Sequence, residues 1–353
     1  MKKLILITYL FIFSLSLHSQ SGRWSEEKAN NWYKQFNWLN GVNYIPSNAI
    51  NYTEMWDKTG FSPDLIEREM ALAQSIGFNC VRVVLQYVVY ENDPEYFIRT
   101  LDEFLFICDK YGIKVMPCFF DDCTFGVNTD PVVGKQPEPV EGWYSWAWSP
   151  SPGHTRVVDE RLHPDLEKYV KDIMTRFKND ERIFVWDLYN EPTNMPHAKY
   201  SILLAKKVFE WARAVNPTQP VTIGVWSGHQ ELNEIIYANS DVITFHIYET
   251  MEKTEARVNE LKAQFNRPII CTEWMNRIAK SYIHEIMPVF KKHNVGSMLW
   301  GLVNGKTQTH LNWGHRPEDL PYTGEWQCDL FYGNFMPYNQ SEIEIIKCLN
   351  GVK

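Results

Sequence analysis

"HPDLEKYVKDIMTRFKNDERIFVWDLYNEP", residues 163–192, reads as one helix followed by one strand. The helix is predicted over 163–180 and the strand over 181–192. From Ile183 to Tyr189 the run is mostly apolar and rich in aromatic and β-branched residues, the types that suit a strand. Asn190 and Glu191 follow, and Pro192 closes it. Asn, Glu and Pro are ordinary residues for leaving a strand, so this unit alone says little about function. Its weight comes from repetition.

Upstream, strands are predicted at 39–47, 78–87 and 113–122, separated by helices at 62–77 and 93–112. Ser62 can cap the first of these helices, Pro63 fits its first turn and Gly77 stops it. Downstream, helix 198–216 leads to strand 220–226, helix 229–239 to strand 241–249, and helix 253–266 to strand 267–274. Helix 280–294 leads to strand 295–305, and helix 341–351 ends the chain. Eight strands, each followed by a helix and apolar on both faces, predict a closed α/β (β/α)8 TIM barrel in a single domain over 21–353. A doubly wound open sheet is the alternative. It lacks its phosphate loop, because no G-x-G-x-x-G follows the first strand and no G-x-x-x-x-G-K-[ST] occurs.

Two connections are too long for plain loops, 121–162 after the third strand and 306–340 after the eighth. Both leave carboxyl ends of strands, the face on which barrel enzymes build their sites. Trp143, Tyr144, Trp146 and Trp148 lie in the first, and Trp313, Tyr322, Trp326 and Tyr332 in the second. About half of these rings are expected only to hold the loops down. The rest suit sugars, whose C–H faces stack on aromatic planes. The whole chain of 353 residues carries 14 Trp, 18 Tyr and 19 Phe, is 44% hydrophobic and 22% charged, and has a formal charge of -8. This is a globular composition, and the charge argues against nucleic acid as a partner.

The opening residues "MKKLILITYLFIFSLSLHSQS" place two lysines before a short apolar run and then small polar residues, as a secretory signal peptide does. Residues 1–20 are expected to be removed, with the mature protein periplasmic or extracellular. No further stretch is apolar enough for stable membrane insertion. The cysteines are seven, an odd number. Cys80, Cys118 and Cys271 lie inside strand-like runs and are expected to be buried free thiols.

Polar residues at strand ends then become candidates for one rim. They are Arg82 on the second strand, Asp121 and Asp122 on the third, Asn190 and Glu191 on the fourth, and His246 and Tyr248 on the sixth. Glu273 ends the seventh, and Trp300, Asn304 and Lys306 belong to the eighth. His246 and Tyr248 are two apart and share one side of their strand. Glu191 and Glu273 form the pair to explain. Two carboxyl groups across a barrel mouth are what glycoside hydrolysis needs, one to protonate the leaving oxygen and one to act at the anomeric carbon. The acid should have a raised pKa. The other should stay charged, a task for which Arg82 and Tyr248 are the right types.

With Asn190-Glu191-Pro192 ending the fourth strand and Glu273 the seventh, together with Arg82, His246-x-Tyr248 and Trp300, the chain resembles the (β/α)8 glycoside hydrolases of clan A. Residues 31–56 and "VWDLYNEP" are similar to a bacterial, family 5-like group labelled cellulase-like or 1,4-β-xylanase-like. The resemblance implies a retaining double displacement on an oligo- or polysaccharide, with Glu191 the acid/base and Glu273 the nucleophile. Asn190 would meet the sugar 2-OH, Tyr248 and Arg82 would hold Glu273, His246 would contact the sugar or the carboxylates, and Trp300 would floor the subsite. Family 5 cellulases usually carry a histidine near the end of the third strand. Here "FFDDC" stands there, so Asp121 or Asp122 is expected to bind sugar hydroxyls instead. No cofactor or metal is expected: there is no H-x-H pair on the first strand and no H-E-x-x-H helix. The alternative function is a barrel that binds carbohydrate without cleaving it.

Overall fold

The computed structural model describes residues 22–126 and 128–352. The expected signal peptide, residues 1–20, lies outside the described residues. Among the described residues, eight parallel strands alternate with helices. They are β1 (Asn40–Asn43), β2 (Cys80–Val84), β3 (Lys114–Asp121), β4 (Trp186–Asn190), β5 (Val221–Thr222), β6 (Ile243–His246), β7 (Ile269–Trp274) and β8 (Gly296–Trp300). Their order is β5-β4-β3-β2-β1-β8-β7-β6. Val225, just beyond β5, pairs with Phe245 of β6 and brings the two ends of the sheet together. The amide of His246 donates to the Val225 carbonyl at 3.0 Å across this seam. The predicted (β/α)8 barrel is therefore the observed one.

Two layers of apolar side chains hold it. The larger lies between the strands and the surrounding helices, where Trp186 is fully buried, stacked on Phe119 at 5.5 Å. The smaller plugs the amino end of the barrel, with Leu39, Met116, Val185, Ile270 and Met298 beneath Tyr33, Trp32 and Phe36. A helix that the sequence reading did not anticipate, Glu26–Tyr33, supplies the first two of these rings. The Ser25 hydroxyl caps it by accepting from the Lys28 amide at 3.1 Å, with Glu26 and Glu27 in its first turn.

Several strands are shorter than their apolar runs, and each has a physical reason. The second stops at Val84, and Tyr87–Asn92 is helical, because the long loop after β3 provides partners there. Gln86 donates to the Pro150 carbonyl and the Tyr87 amide to Ser151. The fifth keeps two residues because side chains replace its ladder, Asp241 accepting from the Val221 amide and Ser240 from that of Ile223. The eighth ends at Trp300, since Gly301 takes φ +81 and a Cβ there would overlap Asp329. All seven cysteines are free thiols, six buried and Cys348 exposed.

Removing the Trp186 ring should open a cavity that the stacked Phe119 cannot fill. Trp186→Ala is expected to lower unfolding free energy by about 3–5 kcal/mol. Phe106→Ala, at a side chain 66% exposed, should change it by less than about 0.5 kcal/mol. Urea denaturation midpoints of the two variants test the contrast.

Candidate active site

At the carboxyl end of the barrel a cavity of about 470 Å³ is lined by Glu191, Glu273, His246, Tyr248, Asn190, Asn194, Cys123, Glu249 and a set of aromatic rings. A larger hollow of about 820 Å³ lies outside the barrel, between helices Ala198–Val215 and Gln230–Asn239. Its walls are ordinary helix-surface residues such as Lys206, Glu210 and Glu234, with no convergent chemistry. The smaller cavity is where the strand-end residues meet.

Their placement starts with Arg82 at the centre of the barrel. Its guanidinium donates to Asp187 (2.8 Å), Asn43 (2.9 Å), Glu273 (2.8 Å) and Asn190 (2.7 Å). Burial works against its charge, and the carboxylates of Asp187 and Glu273 outweigh it, so the group stays firmly protonated. One Glu273 oxygen takes Arg82, and the other accepts from the Tyr248 hydroxyl at 2.8 Å. Burial and then the Glu273 charge push the Tyr248 phenol up, so it remains a proton donor.

Glu191 is held differently. Its backbone sits at φ +42, a conformation that a side-chain-bearing residue rarely adopts, and Thr193 follows at φ +80. This turn brings the carboxylate over the cavity. One oxygen lies 2.8 Å from His246 Nδ1, and the other accepts from Asn194 at 2.8 Å and from the Cys123 thiol at 3.2 Å. Burial pushes this carboxyl up. The hydrogen bond and charge of His246, followed by Cys123 and Asn194, more than offset that, so it sits below its ordinary value. The raised pKa expected from the sequence is not what this environment produces.

His246 also lies 3.6 Å from Glu273 and so stands between the two carboxylates. Register irregularities in β6 at Phe245/His246 and in β7 between Cys271 and Trp274 aim these side chains. His246 Nε2 is buried with no partner among the described residues, against Gly224, where an added Cβ would come within 3.1 Å of it. Ligand atoms of Glu191, His246 and Glu273 all lie within 4.8 Å of one another, a grouping that could hold a cation. Both Glu273 oxygens are, however, already engaged by Arg82 and Tyr248. That arrangement suits a carboxylate held in place by hydrogen bonds rather than by a metal ion.

The structure brings Glu191, Glu273, Asn190, His246, Tyr248 and Trp300 to the cavity. Arg82 stands behind the wall, 2% exposed, and acts through Glu273. Asp121 is a correction. It is fully buried, and its oxygens accept from Asn190 (2.8 Å), the Cys123 amide (2.9 Å) and Trp148 (2.9 Å). Asp122 is equally enclosed, by Tyr189, Ser201 and the Thr193 amide. Neither carboxylate reaches a sugar from there; Cys123 and Trp148 face the cavity instead. Lys306 pairs with Glu54 away from the cavity.

Of the loop rings, Tyr144, Trp148 and Trp313 line the cavity. Trp143 and Trp146 lie against each other, and Trp326, Tyr332 and Tyr338 form a separate stack. Further lining residues escaped the sequence reading, among them Trp226, Asn194 and Cys123. Trp226 ends the run 220–226 predicted as the fifth strand, beyond the observed β5, and was open to the same strand-end logic. Asn194 and Cys123 lie past their strand ends and carry no signal of their own.

Two opposed carboxylates at the mouth of a (β/α)8 barrel, one on a buried arginine, in a cavity walled with aromatic rings, define a clan A glycoside hydrolase barrel. The chain belongs to the glycosyl hydrolases family 2, TIM barrel domain, whose family model matches residues 38–336. Comparison with curated protein sequences gives no match. Among solved structures, an exo-β-1,4-mannosidase from an Opitutaceae bacterium is similar at 18% identity and TM-score 0.61, over 89% of this chain and 60% of that one. A family 5 protein from Bifidobacterium longum in complex with Manβ1-4GlcNAc is similar at 12% identity and TM-score 0.63, over 89% and 78%. An endo-1,4-β-D-mannanase from Thermotoga petrophila is similar at 14% identity and TM-score 0.56, over 90% and 100%. At these identities the likenesses establish the fold. The chain spans less than two thirds of the Opitutaceae enzyme.

Two measurements probe this polar core. Arg82→Gln strands Asp187 and Glu273 as buried charges without a cation, and should cost about 3–5 kcal/mol of stability in urea titration. Asp122 tests the sign of a buried carboxyl. Burial raises it to about 6 against hydrogen bonds from Ser201 and Tyr189, whereas unfolded Asp titrates near about 3.9. The folded state therefore binds this proton more tightly. Its contribution is present below about pH 4 and is lost as pH rises through about 6, on the order of 2–3 kcal/mol. Unfolding free energies at about pH 4.5 and 7, compared between wild type and Asp122→Asn, should show that part of the decline only in the wild type.

Proposed function

We propose that the protein is a retaining β-glycosidase in which Glu273 is the nucleophile and Glu191 the acid/base. One observation carries the reading: the two carboxylates face each other with oxygens within 4.8 Å, bridged by His246. Retaining enzymes keep their carboxyl groups about 5–5.5 Å apart, whereas inverting ones leave about 6.5–9.5 Å for a water. Glu273, held by Arg82 and Tyr248, attacks the anomeric carbon as Glu191 protonates the departing oxygen. Glu191 then takes a proton from the water that releases the sugar. Asn190 lies beside Glu191 on the strand end, where it meets the 2-OH, and Trp300 floors the ring.

The charge of the cavity bears on the sugar. Glu191, Glu249 and Glu273 line it, and no Lys or Arg does among the described residues. Such a site disfavours uronic acids and suits neutral sugars. β-Mannosides come first for testing, because the similar structures include an exo-β-1,4-mannosidase and an endo-1,4-β-D-mannanase. We also infer that residues 1–20 direct export and that the mature chain works in the periplasm or outside the cell.

Glu191→Gln should lower turnover of p-nitrophenyl glycosides by about 10²–10⁴-fold. Glu273→Gln should abolish it, with both circular dichroism spectra unchanged. Near-normal turnover in both variants sinks the assignment. A wild type that binds the sugars calorimetrically without cleaving any of them is a binding barrel instead.

A further inference from the structure

His246 meets both carboxylates through one ring nitrogen, with Nδ1 2.8 Å from Glu191 and 3.6 Å from Glu273. The other nitrogen faces away from them. The side chain is 3% exposed, and Nε2 is buried with no partner among the described residues. Buried polar atoms of this kind are met by a protein group or by ordered water.

Two strands decide what lies beside Nε2. Just past β5 the chain brings Gly224 against the ring, and β7 brings the hydroxyl of Thr272 to the same place. A Cβ on Gly224 would come 3.1 Å from Nε2 and 3.4 Å from Thr272 Oγ1. One point is thus within hydrogen-bond reach of both atoms, and it lies where a side chain at 224 would stand. The rest of the run "VTIGVW", 221–226, is bulkier, and any of those residues would fill the place.

The directions of the hydrogen bonds follow from the ends of the chain. Thr272 is fully buried, and its hydroxyl donates to the Phe245 carbonyl at 3.4 Å. A hydroxyl has one proton, so Oγ1 can then only accept. At the other end Nδ1 faces a carboxylate and carries the proton of a neutral ring, which makes Nε2 an acceptor too. Water fits between two acceptors, because it can donate to both. We propose that Thr272 is a positioning residue of the active site: a water held between its hydroxyl and His246 Nε2 fixes the imidazole with its proton on Nδ1, aimed at Glu191. The inference rests on the assignment of Glu191 as the acid/base above.

The charged groups that face the ring are Asp187 of β4, Glu191 just past it and Glu273 of β7, with Arg82 of β2 pairing Asp187 and Glu273. None of them is hydrogen-bonded to Nε2. The second nitrogen therefore has a neutral partner. A carboxylate in the place of the water would draw a second proton onto the ring and set a lasting cation against Glu191. Water leaves His246 a plain N–H donor, which can serve Glu191 in both of its protonation states.

A crystal structure that resolves ordered water should show one within hydrogen-bond distance of both Nε2 and Thr272 Oγ1; a dry gap overturns the inference. In protein labelled with 15N-histidine, His246 is assigned by the signals lost in His246→Gln. Nδ1 is expected to resonate as a protonated nitrogen and Nε2 as an unprotonated one, and the opposite tautomer overturns the inference. Thr272→Val keeps the shape of the side chain and removes its hydroxyl. It should shift the Nε2 resonance and lower kcat on p-nitrophenyl glycosides by about tenfold with KM little changed, the size of one lost hydrogen bond. Thr272→Ser should restore both. An unchanged resonance and turnover in Thr272→Val, or the same loss in Thr272→Ser, overturns the inference. If Thr272→Val does not fold, the wild-type tautomer decides. A wild type that cleaves no glycoside sinks the hydrolase reading, and the spectra still decide on Thr272.

Discussion

A guanidinium buried in the middle of a barrel must be matched on every side, and Arg82 is matched by residues from three other strands. Asn43 comes from β1, Asp187 and Asn190 from β4, and Glu273 from β7. None of these contacts survives a slip in strand register. The charge therefore ties the closure of the barrel to the orientation of Glu273. A buried ion pair is weak evidence of net stability, because desolvation consumes most of its attraction. Its effect here is on geometry: Arg82 on one oxygen and Tyr248 on the other hold the carboxylate in one direction.

The two carboxylates are prepared in opposite manners. Glu273 is held by a permanent cation and a phenol that keeps its proton. Glu191 depends on an imidazole, an amide and a thiol, on a backbone turned to φ +42. Donors around Glu191 favour its charged form, which in the proposed chemistry readies it to accept a proton from water. The left-handed backbone and the crowding of mixed donors concentrate at Glu191.

The barrel and the carboxylate pair were legible because both follow from periodicity. A parallel strand covered on both faces leaves a long apolar run, and where that run ends the side chains reach the rim. Glu191, Glu273, His246 and Tyr248 were found that way. The same logic misplaced Asp121 and Asp122, since a strand end does not say whether a side chain points into the cavity or behind it. Their enclosure depends on Trp148, Tyr189 and Ser201, which are distant or unmarked in sequence. Cys123 and Asn194 were invisible for a related reason: their roles arise from turns whose shape no local pattern specifies. The lowered Glu191 carboxyl follows from the same neighbours and was equally out of reach.

The loops after β3 and β8 are fastened to each other over the cavity, the Ser145 amide on the Thr307 carbonyl and Gln308 on Gly142 and Val140, and the short connections after β4 and β5 leave an entrance. In the proposed chemistry the departing chain and the incoming water both use it, on the side of Asn194 and Trp226. The water cannot reach the anomeric carbon until the first half of the substrate has gone. The glycosyl-enzyme is thus shielded from early hydrolysis by its own leaving group. Once that group departs, whatever hydroxyl next occupies the doorway competes for the bound sugar, and a dissolved saccharide can do so as well as water. The fastened loops thereby make the partition between hydrolysis and sugar transfer a contest for that entrance.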